Sequence, residues 1–161
     1  MKQEYDITLF FSNSNICPKE EYEKRREDAR KISATYLTPI IEDQYNHAEW
    51  RGFIRGLEGA HEGGLRCLKC FVYSLGRTSD YAKKHGFDLW TTTLTISPHK
   101  NSEALLSIGK KLGGFLEIDF KKKHGFRHSA ELSRKYGLYR QQYCGCIYSE
   151  RDRYIPRSPE K

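Results

Sequence analysis

The sequence has no apolar run approaching the roughly 20 residues that span a bilayer, which argues against an integral membrane protein. It does not open like a secretory leader either. Met1-Lys2-Gln3-Glu4-Tyr5-Asp6 is acidic too early, and the apolar stretch from Ile7 to Phe11 is too short. A cytoplasmic protein is the expectation. A phosphate-loop glycine motif and a dinucleotide fingerprint are both missing, which removes two common ways of gripping a nucleotide. There is no internal repeat, linker or low-complexity block, so 161 residues suit one domain. At 37% hydrophobic and 30% charged, the chain reads as soluble and somewhat poor in core material. Acidic residues run short at one end. Residues 1–120 hold 17 Lys+Arg against 17 Asp+Glu, whereas residues 121–161 hold 11 against 4 and carry the whole net charge of +7. Clustered positive charge suits a polyanion such as RNA; the plainer alternative is a solvated basic tail.

Only five cysteines are present, and four of them fall into two close pairs. In a reducing compartment such pairs argue for metal binding or catalysis over a structural disulfide framework. Cys144 and Cys146 flank one glycine, Gly145, whose wide φ/ψ range lets the sulfurs turn toward each other. A bridge across so small a ring lies near the edge of good disulfide geometry and would be easily reduced. The same pair also suits two thiolates facing one metal, or a tight turn with two buried thiols. Tyr139, Arg140 and Tyr143 crowd it, a composition suited to stacking on a base and holding a phosphate. Cys67 and Cys70 have the Cys-x-x-Cys spacing of metal and redox sites. If Cys67 opens a helix, the helix N-terminus and Arg66 favour its thiolate, and Cys70 shares its face. Cys17 is left over and reads as an ordinary loop cysteine.

Along the chain, Tyr5–Ser12 reads as a buried strand, and Pro18 is placed to start a polar helix over Lys19–Tyr36. Thr38–Glu42 reads as a short strand, Ala48–Leu57 and Leu65–Lys84 as helices, and Phe87–Ile96 as the strongest strand. Ser102–Leu112 follows as an amphipathic helix, then Phe115–Asp119 as a strand, Lys121–Gly125 as a basic loop and Ser129–Tyr136 as a short helix. Arg151–Lys161 reads as a loose basic tail. Strands alternating with helices predict a parallel sheet covered on both faces. Ligands then bind at the carboxyl ends of the strands, which gathers Asn13–Asn15, Ser97–Lys100 and Asp119–Lys123 around one mouth.

At these residues the sequence resembles the QueH-type epoxyqueuosine reductases, which act at the last step of queuosine synthesis in tRNA. The strings that carry the likeness are Asn15-Ile16 with Pro18, Glu21-Tyr22 with Arg25, and Glu62-Gly63-Gly64 with Arg66-Cys67 and Cys70-Phe71. They continue through Thr91–Asn101, Asp119-Phe120-Lys121-Lys122, and Tyr139-Arg140-Gln141 with Tyr143-Cys144-Gly145-Cys146. The resemblance implies an α/β fold with a Rossmann-like, doubly wound, mostly parallel sheet of the nucleotide alpha-hydrolase type. It implies reduction of the epoxide of epoxyqueuosine to the alkene of queuosine with a [4Fe–4S] cluster, two of whose ligands are Cys67 and Cys70. Cys144 and Cys146 become the redox-active, catalytic pair, and the partners become the tRNA anticodon arm and an electron donor. The family's leading strand and its Cys-Cys motif have no counterpart before Tyr5. Residues 1–150 are therefore expected to form one iron–sulfur reductase domain shortened at its start. Ser74 stands where arginine is usual and Ser14 where proline is usual.

Removing an epoxide oxygen takes two electrons, which side chains supply only as thiols, and protons for the departing oxygen. An additional, Lewis-acidic iron at the cluster edge would polarise that oxygen. His99, Lys100 and Tyr143 are candidate proton donors, and Arg140 with Lys121, Lys122 and Lys123 are candidate phosphate contacts. Two rival readings stay open. One is a zinc-binding RNA module whose four-cysteine site is made of Cys67, Cys70, Cys144 and Cys146. The other is an inactive remnant without metal.

Overall fold

Leu9-Phe10-Phe11 is the pleated segment of the apolar opening and forms β1 (Leu9–Phe11). The chain turns at Asn13 to Ile16 and enters α1 (Lys19–Tyr36) directly behind Pro18, which caps it at φ −72°. Glu20 and Glu21 occupy the first turn, where the helix dipole favours negative charge. Leu37 ends α1 in the left-handed conformation and leads to β2 (Ile40–Glu42). The two strands are parallel, with Leu9 opposite Ile40 and Phe11 opposite Glu42. A parallel pair needs a long crossover, and α1 is that crossover. Just past both strand ends the Asp43 carboxylate receives Ser12 Oγ at 2.5 Å and the Arg77 fork at 2.5 and 2.6 Å. The computed structural model describes residues 4–152.

Asn46 caps α2 (His47–Phe53) by accepting the Glu49 amide. The Gly63-Gly64 turn, with Gly63 at φ +89°, reverses the chain into α3 (Leu65–Lys84). α3 buries Phe71, Leu75 and Ala82 against Trp90 and against Leu105 of α4 (Ser102–Leu112), and this is the larger core. A second cluster on the neighbouring side of α3 joins Trp50, Ile54, Tyr73 and Cys146. Gly109 brings α4 so close to Phe115 that a Cβ there would stand 2.6 Å from the ring. α5 (Gly125–Lys135) and α6 (Ile147–Asp152) complete the described residues. The architecture is α/β with a small parallel sheet and six α-helices among those residues. None of those helices is long and apolar enough to cross a membrane.

Three helices, Lys19–Tyr36, Leu65–Lys84 and Ser102–Leu112, have the limits that their sequence signals predict. The two strands expected later do not form. Phe87–Ile96 contributes one parallel bridge, Trp90 to Phe115, and then tightens into a 3-10 turn over Thr93–Ile96. Its threonine hydroxyls take the bonds that a ladder would have used. Thr91 Oγ1 donates to Leu116 O, Thr95 Oγ1 donates to Ile118 O and accepts from Phe120 N, and Thr92 Oγ1 accepts the Leu94 amide. Phe115–Asp119 is held by those same hydroxyls and likewise is not a strand. α2 stops at Phe53, and α5 begins four residues earlier than expected, at Gly125. Of the expected loose tail, Arg151 and Asp152 belong to α6, and residues 153–161 lie outside the described residues.

Candidate active site

The two glycines before α3 place Cys67 in its first turn. The Cys67 amide donates to Gly64 O, and the Cys67 sulfur accepts the Gly63 amide at 3.2 Å. One turn on, Cys70 faces the same way and its sulfur accepts Trp50 Nε1 at 3.3 Å. Burial pushes the Cys67 thiol above its ordinary pKa; the Gly63 amide and Arg66 oppose this without cancelling it, and a neighbouring Cys144 charge adds to it. Burial thus opposes the thiolate that the sequence leads one to expect from Arg66 and the first turn of the helix. Burial pushes Cys70 further, to about 12, with Cys144 the next contribution.

The Cys-Gly-Cys segment arrives from the far end of the chain and lies on this turn of α3. Cys144 lines a cavity of about 30 Å³ together with Cys67, Phe71, His99 and Lys100. Lys100 Nζ stands 3.7 Å from the Cys144 sulfur, and Lys121 Nζ holds Lys100 from behind by donating to its carbonyl at 3.0 Å. A cavity of that size takes water rather than a nucleoside, whose pockets run to several hundred Å³. Cys146 points elsewhere. It is 6% exposed and packs in the Trp50 cluster. Burial raises its thiol pKa against the opposing amides of Tyr148 and Ser149. All four cysteines, and Cys17, are free thiols. Between the pair, Gly145 has φ +106°, and its carbonyl accepts the Cys17 amide at 2.8 Å.

The structure thus brings Cys67, Cys144 and Lys100 to one cavity, while Cys146 is buried in the Trp50 cluster, against which Cys70 also packs. Ser97–Lys100 and Asp119–Lys121 do meet at this mouth, while Ser14 and Asn15 are buried and the first loop reaches it only through Ile16 and Cys17. Tyr143 is turned away, its hydroxyl donating to Cys17 O at 2.8 Å. His99 is exposed at the cavity rim. Lys122, Lys123, Arg127, Arg134, Lys135 and Arg140 are exposed, so these basic residues are solvated. The Arg25 contact to the thiol loop was not legible in advance, since 118 and 119 residues separate its partners.

A cubane [4Fe–4S] cluster is held by four thiolates in its commonest form. Cys67 and Cys70 have the right chemistry and share a helix face, which makes half of such a set. Among the described residues no group of three or more Cys, His, Asp or Glu side chains is placed to hold a metal ion. Those residues do not fit a fully ligated cluster, nor do the four sulfurs form a tetrahedral zinc site.

The family model described as "Epoxyqueuosine reductase QueH" matches residues 1–152. A curated protein named Epoxyqueuosine reductase QueH from Streptococcus pyogenes serotype M1 is 40% identical over 155 residues, covering 89% of this chain and 61% of that protein. Proteins of the same name from Thermotoga maritima and Dehalococcoides mccartyi are 35% identical over 152 residues and 36% identical over 165 residues. These matches cover 89% and 98% of this chain, and 79% and 87% of the relatives. The chain therefore spans about three fifths of the Streptococcus protein's length.

Proposed function

Because the chain belongs to the epoxyqueuosine reductase QueH family, we propose that it works as an epoxyqueuosine reductase, removing the epoxide oxygen of epoxyqueuosine in tRNA to leave the alkene of queuosine. The observation that carries this reading is the placing of Cys144, 3.7 Å from Lys100 Nζ and against Cys67 of the Cys-x-x-Cys turn. Oxidation of the Cys144 and Cys146 thiols to one disulfide releases two electrons and two protons. Conversion of an epoxide to an alkene and water consumes two electrons and two protons, so the exchange balances. A reductant of the dithiol or ferredoxin class then restores both thiols. Lys100 Nζ, placed beside the Cys144 sulfur, delivers a proton to the departing oxygen and takes one back from the oxidised thiols. His99 lies at the same rim, whereas Tyr143 is committed to Cys17.

Cys67 and Cys70 would hold two positions of a [4Fe–4S] cluster, with its other ligands supplied from outside the described residues. Such a group would supply electrons singly and, with an additional iron, a Lewis acid. Every step above is carried by side chains of this chain. The exposed Lys122, Lys123 and Arg140, with the half-buried Lys121, make the phosphate contacts of the anticodon arm, with no membrane involved. The β1–α1–β2 crossover and the second parallel bridge, Trp90 to Phe115, support a Rossmann-like reading of the sheet and one α/β reductase domain over residues 1–150.

The test is anaerobic purification with metal and sulfide analysis, followed by turnover of epoxyqueuosine-containing tRNA read by nucleoside mass spectrometry. Brown protein with iron and sulfide that makes queuosine, and a Cys144→Ser variant that makes none, is the expected result. Full turnover by Cys144→Ser removes the redox role, and colourless protein with stoichiometric zinc replaces the reductase with an RNA-binding module.

A further inference from the structure

The thiol loop is gripped from α1. Arg25 donates from Nη1 to Cys144 O at 2.9 Å and from Nη2 to Tyr143 O at 3.1 Å. Its Nε donates to Glu21 Oε1 at 2.8 Å, and the guanidinium lies 5.5 Å from the centre of the Tyr143 ring. Glu21 is 6% exposed, and its second oxygen accepts the Tyr139 hydroxyl at 2.9 Å. Charged donors on two consecutive carbonyls make a strong and directional contact. The grip also explains Gly145, since a Cβ there would stand 3.0 Å from Arg25 Nη1. No step of the reduction uses Arg25.

A disulfide between Cys144 and Cys146 requires the two sulfurs to meet. In this structure Cys144 stands by Lys100, while Cys146 is buried with Trp50, Ile54 and Tyr73. Bringing them together turns the peptides between them, and the Cys144 carbonyl that must turn is the one Arg25 holds. We propose that Arg25 is a positioning residue that holds the Cys-Gly-Cys loop in its dithiol form and thereby makes the disulfide easier to reduce. The inference rests on the reading of Cys144 and Cys146 as the redox pair. The exchange is with oxidised glutathione: two protein thiols become one disulfide, and one glutathione disulfide becomes two thiols.

The experiment equilibrates the full chain without oxygen in glutathione buffers of graded potential, traps it with acid and alkylating agent, and measures the Cys144–Cys146 disulfide by mass spectrometry. Wild type, Arg25→Gln and Arg25→Lys are compared. Arg25→Gln is expected to form the disulfide about tenfold more readily, a midpoint about 30 mV more negative for a two-electron couple. Arg25→Lys is expected to return part of that shift, since it keeps the charge but loses the fork. A purely structural role would lower the melting temperature of Arg25→Gln and leave the midpoint in place, and that result overturns the proposal. If Arg25→Gln does not fold, Tyr139→Phe decides. It removes only the hydroxyl on Glu21, and a negative shift of about threefold supports the grip while an unchanged midpoint overturns it. A wild-type chain that forms no Cys144–Cys146 disulfide in any buffer refutes the redox pair itself, and the positioning role falls with it.

Discussion

Replacing Gly145 by alanine tests the geometry of the thiol loop. The residue has φ +106°, a conformation that an L side chain rarely adopts, and holding alanine there costs about 1–3 kcal/mol. The new methyl group would also stand 2.9 Å from Ile16 Cγ1 and 3.0 Å from Arg25 Nη1. Ile16 is 2% exposed and has no room to retreat, so Arg25 must move and surrender its bonds to Tyr143 O and Cys144 O. Overpacking of this kind costs about 1–3 kcal/mol in its own right. A combined loss of about 3 kcal/mol is a large part of the stability of an ordinary domain, roughly 5–15 kcal/mol. In a domain of this size each kcal/mol moves the melting temperature by about 2–4 °C, so a fall of roughly 6–12 °C is expected. Circular dichroism melts under anaerobic, reducing conditions measure it. Gly59→Ala is the control, since a Cβ there meets nothing within 4 Å and its φ is ordinary. A Gly145→Ala melt within about 2 °C of wild type would refute the reasoning.

The Asp43 carboxyl carries a pH dependence. Burial works to raise its pKa, but the Arg77 guanidinium and Ser12 hydroxyl outweigh that and hold it below the ordinary value. Its contribution is therefore full above the unfolded value of about 3.9 and is lost as pH falls below that, through the lower folded pKa. Asp43→Asn should cost about 2 kcal/mol at pH 7 and flatten the acid limb of a urea-denaturation series; an unchanged limb counts against the assignment. Gly109→Ala improves helix propensity by up to about 1 kcal/mol, yet its Cβ would sit 2.6 Å from the Phe115 ring, so net destabilisation in a thermal melt is the expectation and a rise in melting temperature contradicts the packing. Under the tRNA reading, reversing the exposed Lys122 and Lys123 to glutamate should weaken tRNA binding and reduce the slope of log affinity against log salt by about 1 to 2, as measured by filter binding; an unchanged slope removes them from the interface.

How much of this molecule was legible in its sequence follows from how local each signal is. Pro18 starts α1, the Gly63-Gly64 turn starts α3, and Asn101 and Gly113 bracket α4. Each acts on its own neighbours, so those limits can be read from a short window. The stretch Thr91 to Ile96 misleads for the opposite reason. Its β-branched residues fit a strand by propensity, but three of its hydroxyls find backbone partners, two of them 25 and 23 residues away, and the chain tightens instead of pairing. The site divides in the same way. Spacing alone singles out Cys67 with Cys70 and Cys144 with Cys146, because one helical turn and one glycine are local facts. What each sulfur faces is not local. Cys144 meets Lys100 across 44 positions, and Arg25 reaches the loop across more than a hundred.

The consequence for chemistry is a division of labour between sulfurs that sequence treats as equivalent. A tetrahedral metal site asks all four thiols to converge as thiolates. Burial instead works against ionisation of Cys67, Cys70 and Cys146, and Cys146 shares its apolar cluster with Trp50 and Tyr73. To join a metal ion, Cys146 would have to ionise beside that cluster, a burial cost that Cys70, packed against the same residues, also carries. A redox pair asks for less. It needs Cys144 partly accessible beside Lys100, and Cys146 close in sequence and held in reserve until the loop turns. The arrangement around Arg25, Gly145 and Lys100 is compatible with those requirements.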